Sequence, residues 1–152
     1  MRNNSPVRLW LACCAGLLAV PLWGYKLRTR EDDVFAVKWY ENPVAFTLKL
    51  SATANLSDGQ SQRSSVVAAM QAWNAQLGTV QFTPVLSAPG SYENGNGINE
   101  VTMASAVDGD AFSEGMLAVT LTYSNGDAVA ESDIISNSAL RWDSYRGPLR
   151  SP

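Results

Sequence analysis

Carboxylates are the groups of this sequence that could do chemistry. The 152 residues hold fourteen Asp and Glu, eleven Lys and Arg, and no histidine. Eight of the acids, Glu93, Glu100, Asp108, Asp110, Glu114, Asp127, Glu131 and Asp133, lie between Arg63 and Arg141, a stretch without a single Lys or Arg. Such a stretch repels phosphate backbones, so nucleic acid is not an expected partner. It could attract a hard cation such as calcium, which takes oxygen ligands, although the same acids also describe an ordinary soluble surface. Asp127, Glu131 and Asp133 follow one another at spacings of four and two, which on a strand places them on one face. They lack an obvious acid–base partner arrangement, and no Ser, Lys or carboxylate pair offers a competing catalytic centre. Both cysteines, Cys13 and Cys14, lie near the amino terminus, so the rest of the chain has neither thiol nor imidazole for a transition metal.

The amino terminus reads as an export signal. Residues 1–8 carry Arg2 and Arg8 and no acid, and residues 9–23 run LWLACCAGLLAVPLW without a charge before Gly24. A basic segment, an apolar segment and a small residue in that order make a secretory signal peptide over residues 1–24. Fifteen uncharged residues are short for a membrane span of ~20, so no stable span is expected unless the leader is retained as an anchor. The chain beyond it has nine basic against fourteen acidic residues, a balance of −5. With 46% hydrophobic and 16% charged residues the composition is that of a folded domain, and the length suits one. A charged, aperiodic linker is expected over residues 25–35 and the domain over residues 36–152.

The elements that must carry the acids follow from periodicity. Val44, Phe46, Leu48 and Leu50 alternate, which predicts a half-buried strand. Val66, Met70, Trp73 and Leu77 share one helical face, which predicts a helix over 61–77, with Trp73 in the core and Gly78 as a left-handed cap. Residues 79–83 read as a strand ended by Pro84, 98–106 as another, 116–123 as the strongest, and 128–135 as the last. Asn125-Gly126 signals the hairpin between the last two. The expected fold class is α+β: a twisted, mixed five-stranded sheet with one covering helix. Strand, helix, strand with short connections implies a parallel crossover. The helix covers one face, which leaves the other bare and apolar, whereas a partly parallel sheet needs cover on both.

In this order the pieces AAMQAWNAQLG, VQF, NGINEVTM, GMLAVTLTY and GDAVAESDIISNSALRW resemble the matrixin branch of the metzincin metallopeptidases in its bacterial form, across residues 36–146. The resemblance implies the N-terminal part of a metzincin-like catalytic domain, hence a secreted zinc endopeptidase with a polypeptide substrate. In that family three histidines of H-E-x-x-H-x-x-G-x-x-H bind zinc, and the glutamate is the general base on the metal's water. A chain without histidine cannot carry the motif, so the expectation is an inactive N-terminal portion that stops before the zinc helix, or else a natural non-catalytic relative. The resemblance further implies that residues 116–120 form an edge strand beside the cleft, where Leu117 and Ala118 present backbone groups to an extended substrate. It matches residues 108–115 to the family's metal-holding loop. Structural zinc lacks its histidine there, while Asp108, Asp110 and Glu114 could hold calcium, or simply form a turn. Asp133 and Asn137 match metal-supporting or turn-fixing positions. The alternative function is a secreted, β-rich module that binds calcium, a polysaccharide or a protein without catalysis.

Overall fold

The computed structural model describes residues 36–144. The expected signal peptide and linker, and the last residues of the expected domain, lie outside the described residues. The fold is α+β. Five strands, β1 (Val44–Leu48), β2 (Phe82–Leu86), β3 (Glu100–Ala104), β6 (Ala118–Asn125) and β7 (Ala128–Asn137), form one mixed sheet in the order β2-β1-β3-β7-β6. All neighbours are parallel except β6 and β7, which form an antiparallel hairpin. The short strands β4 (Ala106–Val107) and β5 (Asp110–Ala111) make a separate two-stranded ribbon. Asp108 and Gly109 at its tip both have positive φ, 52° and 91°, as a two-residue primed turn demands. At the β6–β7 hairpin only Gly126 has positive φ, which suits glycine at the first turn position.

The helix α1 (Gln62–Asn74) links β1 to β2. Its start is fixed by a reciprocal capping box: Ser64 N–H donates to Ser61 Oγ while Ser61 N–H donates to Ser64 Oγ. Its end comes earlier than 77, and not through Gly78, whose φ is not positive. Side-chain amides finish it instead. Gln81 Nε2 donates to the carbonyls of Asn74 and Leu77, and the Asn74 amide both donates to and accepts from the Phe82 backbone at 2.8 Å. These bonds satisfy the carbonyls a glycine cap would otherwise serve and tie the helix to β2. They also move the strand: β2 begins at Phe82 and runs through Pro84 rather than stopping there. A proline without N–H is tolerated because β2 is an edge.

The core lies between α1 and the sheet. Val44, Phe46, Leu48, Leu50, Met70 and Val101 are buried, with Val66, Phe82 and Ile134 packed against them. Trp39 and Phe82 meet Phe46 edge-on at centroid distances of 6.2 and 5.8 Å. Each fully buried aliphatic side chain here stabilises the fold by about 1.5–3 kcal/mol. Arg63 pins the loops around the helix start by donating from Nη2 to the carbonyls of Leu50 and Ser87. Trp73 is not a core residue; it is 63% exposed at the rim of a hollow beside α1. Among the described residues no helix is long and apolar enough to cross a membrane.

The opposite face of the sheet differs from the expectation of a bare apolar surface. The chain between β2 and β3 folds back over it. Lys49 Nζ donates to the Ser91 carbonyl, Thr102 Oγ1 to that of Gly90, and the backbone N–H groups of Glu93, Gly95 and Gly97 donate to acids on β3 and β7. Covering this face requires no second helix, because its residues are polar enough to hold a loop by hydrogen bonds.

Candidate functional site

Among the described residues, the antiparallel hairpin leaves β6 at the edge of the sheet, bonded on one side only. Its register decides which backbone groups are free. Asn137 N–H donates to the Leu117 carbonyl at 2.8 Å, and Ala118 stands opposite Ser136. Since antiparallel pairs alternate, Leu117, Val119 and Leu121 turn their backbone groups toward β7, whereas Ala118, Thr120 and Thr122 turn theirs outward. Of the two residues expected to face an extended substrate, Ala118 therefore offers its N–H and C=O to the free edge. Leu117 has its carbonyl engaged and offers a 61% exposed side chain. Asn137 secures the start of this strand by donating from Nδ2 to the Met116 carbonyl, while its Oδ1 accepts from Ala139 N–H.

The loop-covered face carries the buried acids. Glu100, Glu131 and Asp133 are 2, 2 and 0% exposed. Each has a defined task. Glu131 accepts from Gly95 and Gly97 N–H, one on each oxygen. Glu100 accepts from Glu93 N–H at 2.8 Å and pairs with Lys49 Nζ at 2.6 Å. Asp133 Oδ1 accepts from Glu100 N–H at 3.0 Å, which fastens β7 to the start of β3, but its Oδ2 is buried without a hydrogen-bond partner among the described residues. Burial pushes the Asp133 carboxyl up to about 7; the Glu100 N–H opposes this, and the Glu131 and Glu100 carboxylates add to it. A proton on Oδ2 gives that oxygen something to do, because it can then donate to Glu131. Asn99, just before β3, ties the flanking strands together by accepting from Ser132 N–H and donating to the Ala45 carbonyl.

On the helix side, an apolar hollow of about 500 Å³ opens between α1 and the sheet, lined by Phe46, Val66, Met70, Trp73, Val101 and Ile134 among others. A smaller one of about 150 Å³ adjoins it beneath Trp142, Asp143 and Ser144. The chain after β7 is tied down there. Trp142 Nε1 donates to the Asn137 carbonyl, and Asp143 accepts from both N–H and Oγ of Ser57. The two Ser57 bonds, side-chain bond first, lower the Asp143 carboxyl below its ordinary range.

The residues considered for a metal do not converge. Asp108 accepts from Tyr92 OH and Asn94 Nδ2 at the ribbon tip, Asp110 lies on β5, Glu114 lies in the turn before β6, Asp133 is buried under the loop and Asn137 ends β7. Among the described residues no group of three or more acids, His or Cys is placed to hold a metal ion. The donor set does not fit zinc, since the chain has no histidine. Of the three acids expected on one strand face, Glu131 and Asp133 do share it, while Asp127 sits in the hairpin turn and accepts from Tyr40 OH. Sequence reasoning missed Glu100 and Lys49 as their companions. The available signal was the strand period itself: Lys49 alternates with Leu48 and Leu50, so a core on one side forces the ammonium to the other. Compared with known proteins, the chain matches no family model, no curated protein and no solved structure.

Proposed function

We propose that this chain supplies the substrate-aligning sheet of a secreted, matrixin-like zinc endopeptidase and is inactive by itself. The observation that carries the reading is the outer edge of β6, where Ala118, Thr120 and Thr122 present backbone groups at a two-residue interval that no strand among the described residues pairs. An extended polypeptide adds to such an edge through main-chain hydrogen bonds, with side-chain pockets setting preference. The order of elements and the motifs quoted above give the family resemblance, and the apolar hollow beside α1 leaves room for a further packed element. Zinc, when bound, would supply the activated water of such an enzyme; its nitrogen donors must come from polypeptide other than these 152 residues. The chain's own part is to align the substrate backbone and to hold the edge in register through Asn137.

Two measurements test this. Reading the gene beyond the codon for Pro152 should reveal the three-histidine motif after a connection of ordinary loop length. The extended product should cleave unfolded polypeptide in a zinc-dependent manner, whereas the 152-residue chain with added zinc should not. Absence of the motif from every downstream frame, or zinc-dependent cleavage by the short chain, refutes the proposal.

A further inference from the structure

The two edges of the sheet are built differently. β2 has Pro84 at its middle, which removes a donor from the outward row and blunts that edge. β6 has no such guard. Its eight residues, AVTLTYSN, contain no charge and no proline, and the one irregularity, a register shift between Tyr123 and Ser124, comes at the far end. Long, uncharged, unpaired edges are templates for pairing with another strand.

The sequence around Thr120 is also self-complementary. Two copies of β6 placed antiparallel about Thr120 bring Thr120 opposite its own copy and Ala118 opposite Thr122. These are the residues whose backbone groups face outward, so the pairing closes with roughly six interstrand hydrogen bonds. On the loop-covered face the same register sets Val119 opposite Leu121 and Leu117 opposite Tyr123. Leu117 and Tyr123 are 61% and 39% exposed in the single chain, and each gains an apolar cross-strand neighbour. On the helix side only Thr and Ala meet. No like charges oppose each other within the paired segment.

We propose that the chain self-associates through β6, forming a two-fold symmetric dimer with one continuous sheet across the Thr120–Thr120 axis. The partner is a second copy because the register that satisfies the outward backbone groups also matches apolar side chains to apolar side chains, an isologous arrangement. Strand-edge pairing alone buries less than a standard interface, so the dimer is weak and forms with rising concentration. The pairing stands whether or not the edge also receives a polypeptide. If it does, dimer and substrate compete for the same backbone groups.

The test is a charge exchange at the axis. Thr120 is exposed, so Thr120→Lys and Thr120→Glu leave the fold intact, which circular dichroism checks. The full chain, kept reduced so that Cys13 and Cys14 cannot cross-link, is followed by sedimentation equilibrium over about two decades of concentration, the range a weak interface of this kind spans. The wild type should rise from one chain mass toward two. T120K and T120E alone should each associate at least about tenfold more weakly, because like charges then face each other. An equimolar mixture of the two should regain association. A wild type that stays at one chain mass, single variants that associate like the wild type, or a mixture that does not recover would each overturn the proposal.

Discussion

Replacing Lys49 by Met should cost the fold about 3 kcal/mol, more than any exposed ion pair would. Lys49 Nζ lies 2.6 Å from Glu100 Oε1, with the two side chains 18% and 2% exposed, and it also donates to the Ser91 carbonyl. Lys49 is the cation paired within a buried group of three acids, so its removal leaves Glu100 without its counter-charge beside Glu131 and Asp133. Breaking a buried pair by deleting one partner typically costs about 3–5 kcal/mol, because the remaining charge stays desolvated. Partial exposure of the lysine favours the lower end. That loss is a large share of the roughly 5–15 kcal/mol by which domains are ordinarily stable. Urea unfolding followed by tryptophan fluorescence measures it, since Trp39 packs on Phe46 in the core. The control is Lys49→Met with Glu100→Gln. The introduced amide would still accept from Glu93 N–H but leave no uncompensated charge, so the double variant should recover about 2 kcal/mol of the loss. A single-variant cost below about 1 kcal/mol, the range of surface pairs, would refute the reasoning, as would a double variant no better than the single one.

The Asp133 carboxyl gives a second expectation with a definite sign. Its value is raised from 3.8 to about 7 in the fold, so the neutral form is favoured and its stabilising share is complete below pH 3.8. That share is lost as pH climbs through about 7; at ~1.36 kcal/mol per unit the ceiling is about 4 kcal/mol. Urea midpoints should accordingly fall between about pH 4 and about pH 8, and Asp133→Asn, an amide that stays neutral, should flatten the profile and be the more stable protein at the upper end. Proline scanning checks the β6 register: Thr120→Pro removes an outward N–H and should cost less than about 1 kcal/mol, whereas Val119→Pro breaks the ladder to β7 and should cost about 3 kcal/mol. Leu48→Ala, at a fully buried position, should lower stability by about 2–5 kcal/mol in the same assay. The apolar hollow should take up an environment-sensitive hydrophobic dye at the native state, and Val66→Asp on its wall should reduce that fluorescence several-fold.

Periodicity makes the sheet and helix legible because the alternating run at Val44, Phe46, Leu48 and Leu50 and the helical face at Val66 and Met70 are both buried faces, where burial enforces the pattern. The same reasoning misplaces Trp73, which has the right spacing but lies close to the helix end, over a hollow rather than over strand side chains. Pro84 reads as a terminator because a sequence does not say which strand is the edge. Gly78 reads as a cap because Gln81 and Asn74 do that work through tertiary hydrogen bonds, which leave no local signature. The edge position of β6 is expected from the resemblance, but which of Leu117 and Ala118 points outward requires the register with Asn137. The acids are visible as a count. That three of them are buried together depends on Glu100 of β3 lying beside β7, a neighbour relation between residues more than thirty positions apart.

The two faces of the sheet solve the problem of cover by opposite means, and this asymmetry bears on the proposed function. On the acid-bearing face, backbone N–H groups of a loop meet carboxylates, so a short segment without secondary structure suffices. On the helix face the groups lining the hollow are Phe46, Val101 and Ile134, which offer a loop backbone nothing to bond. Only another apolar surface can cover them, and a loop laid there would bury its own peptide groups unpaired. A helix satisfies its backbone internally and presents one apolar stripe, with helix axes packing about 8–10 Å apart. The hollow runs along α1 on this face, so a second helix beside α1 is the physically natural occupant, and in the proposed endopeptidase the zinc-bearing helix takes that role. The edge strand β6 adjoins β7, whose Ile134 and Ser136 wall the same hollow. A helix seated there would supply the cover this face calls for and leave the outward backbone groups of Ala118 and Thr120 open to a polypeptide, as the proposed function requires.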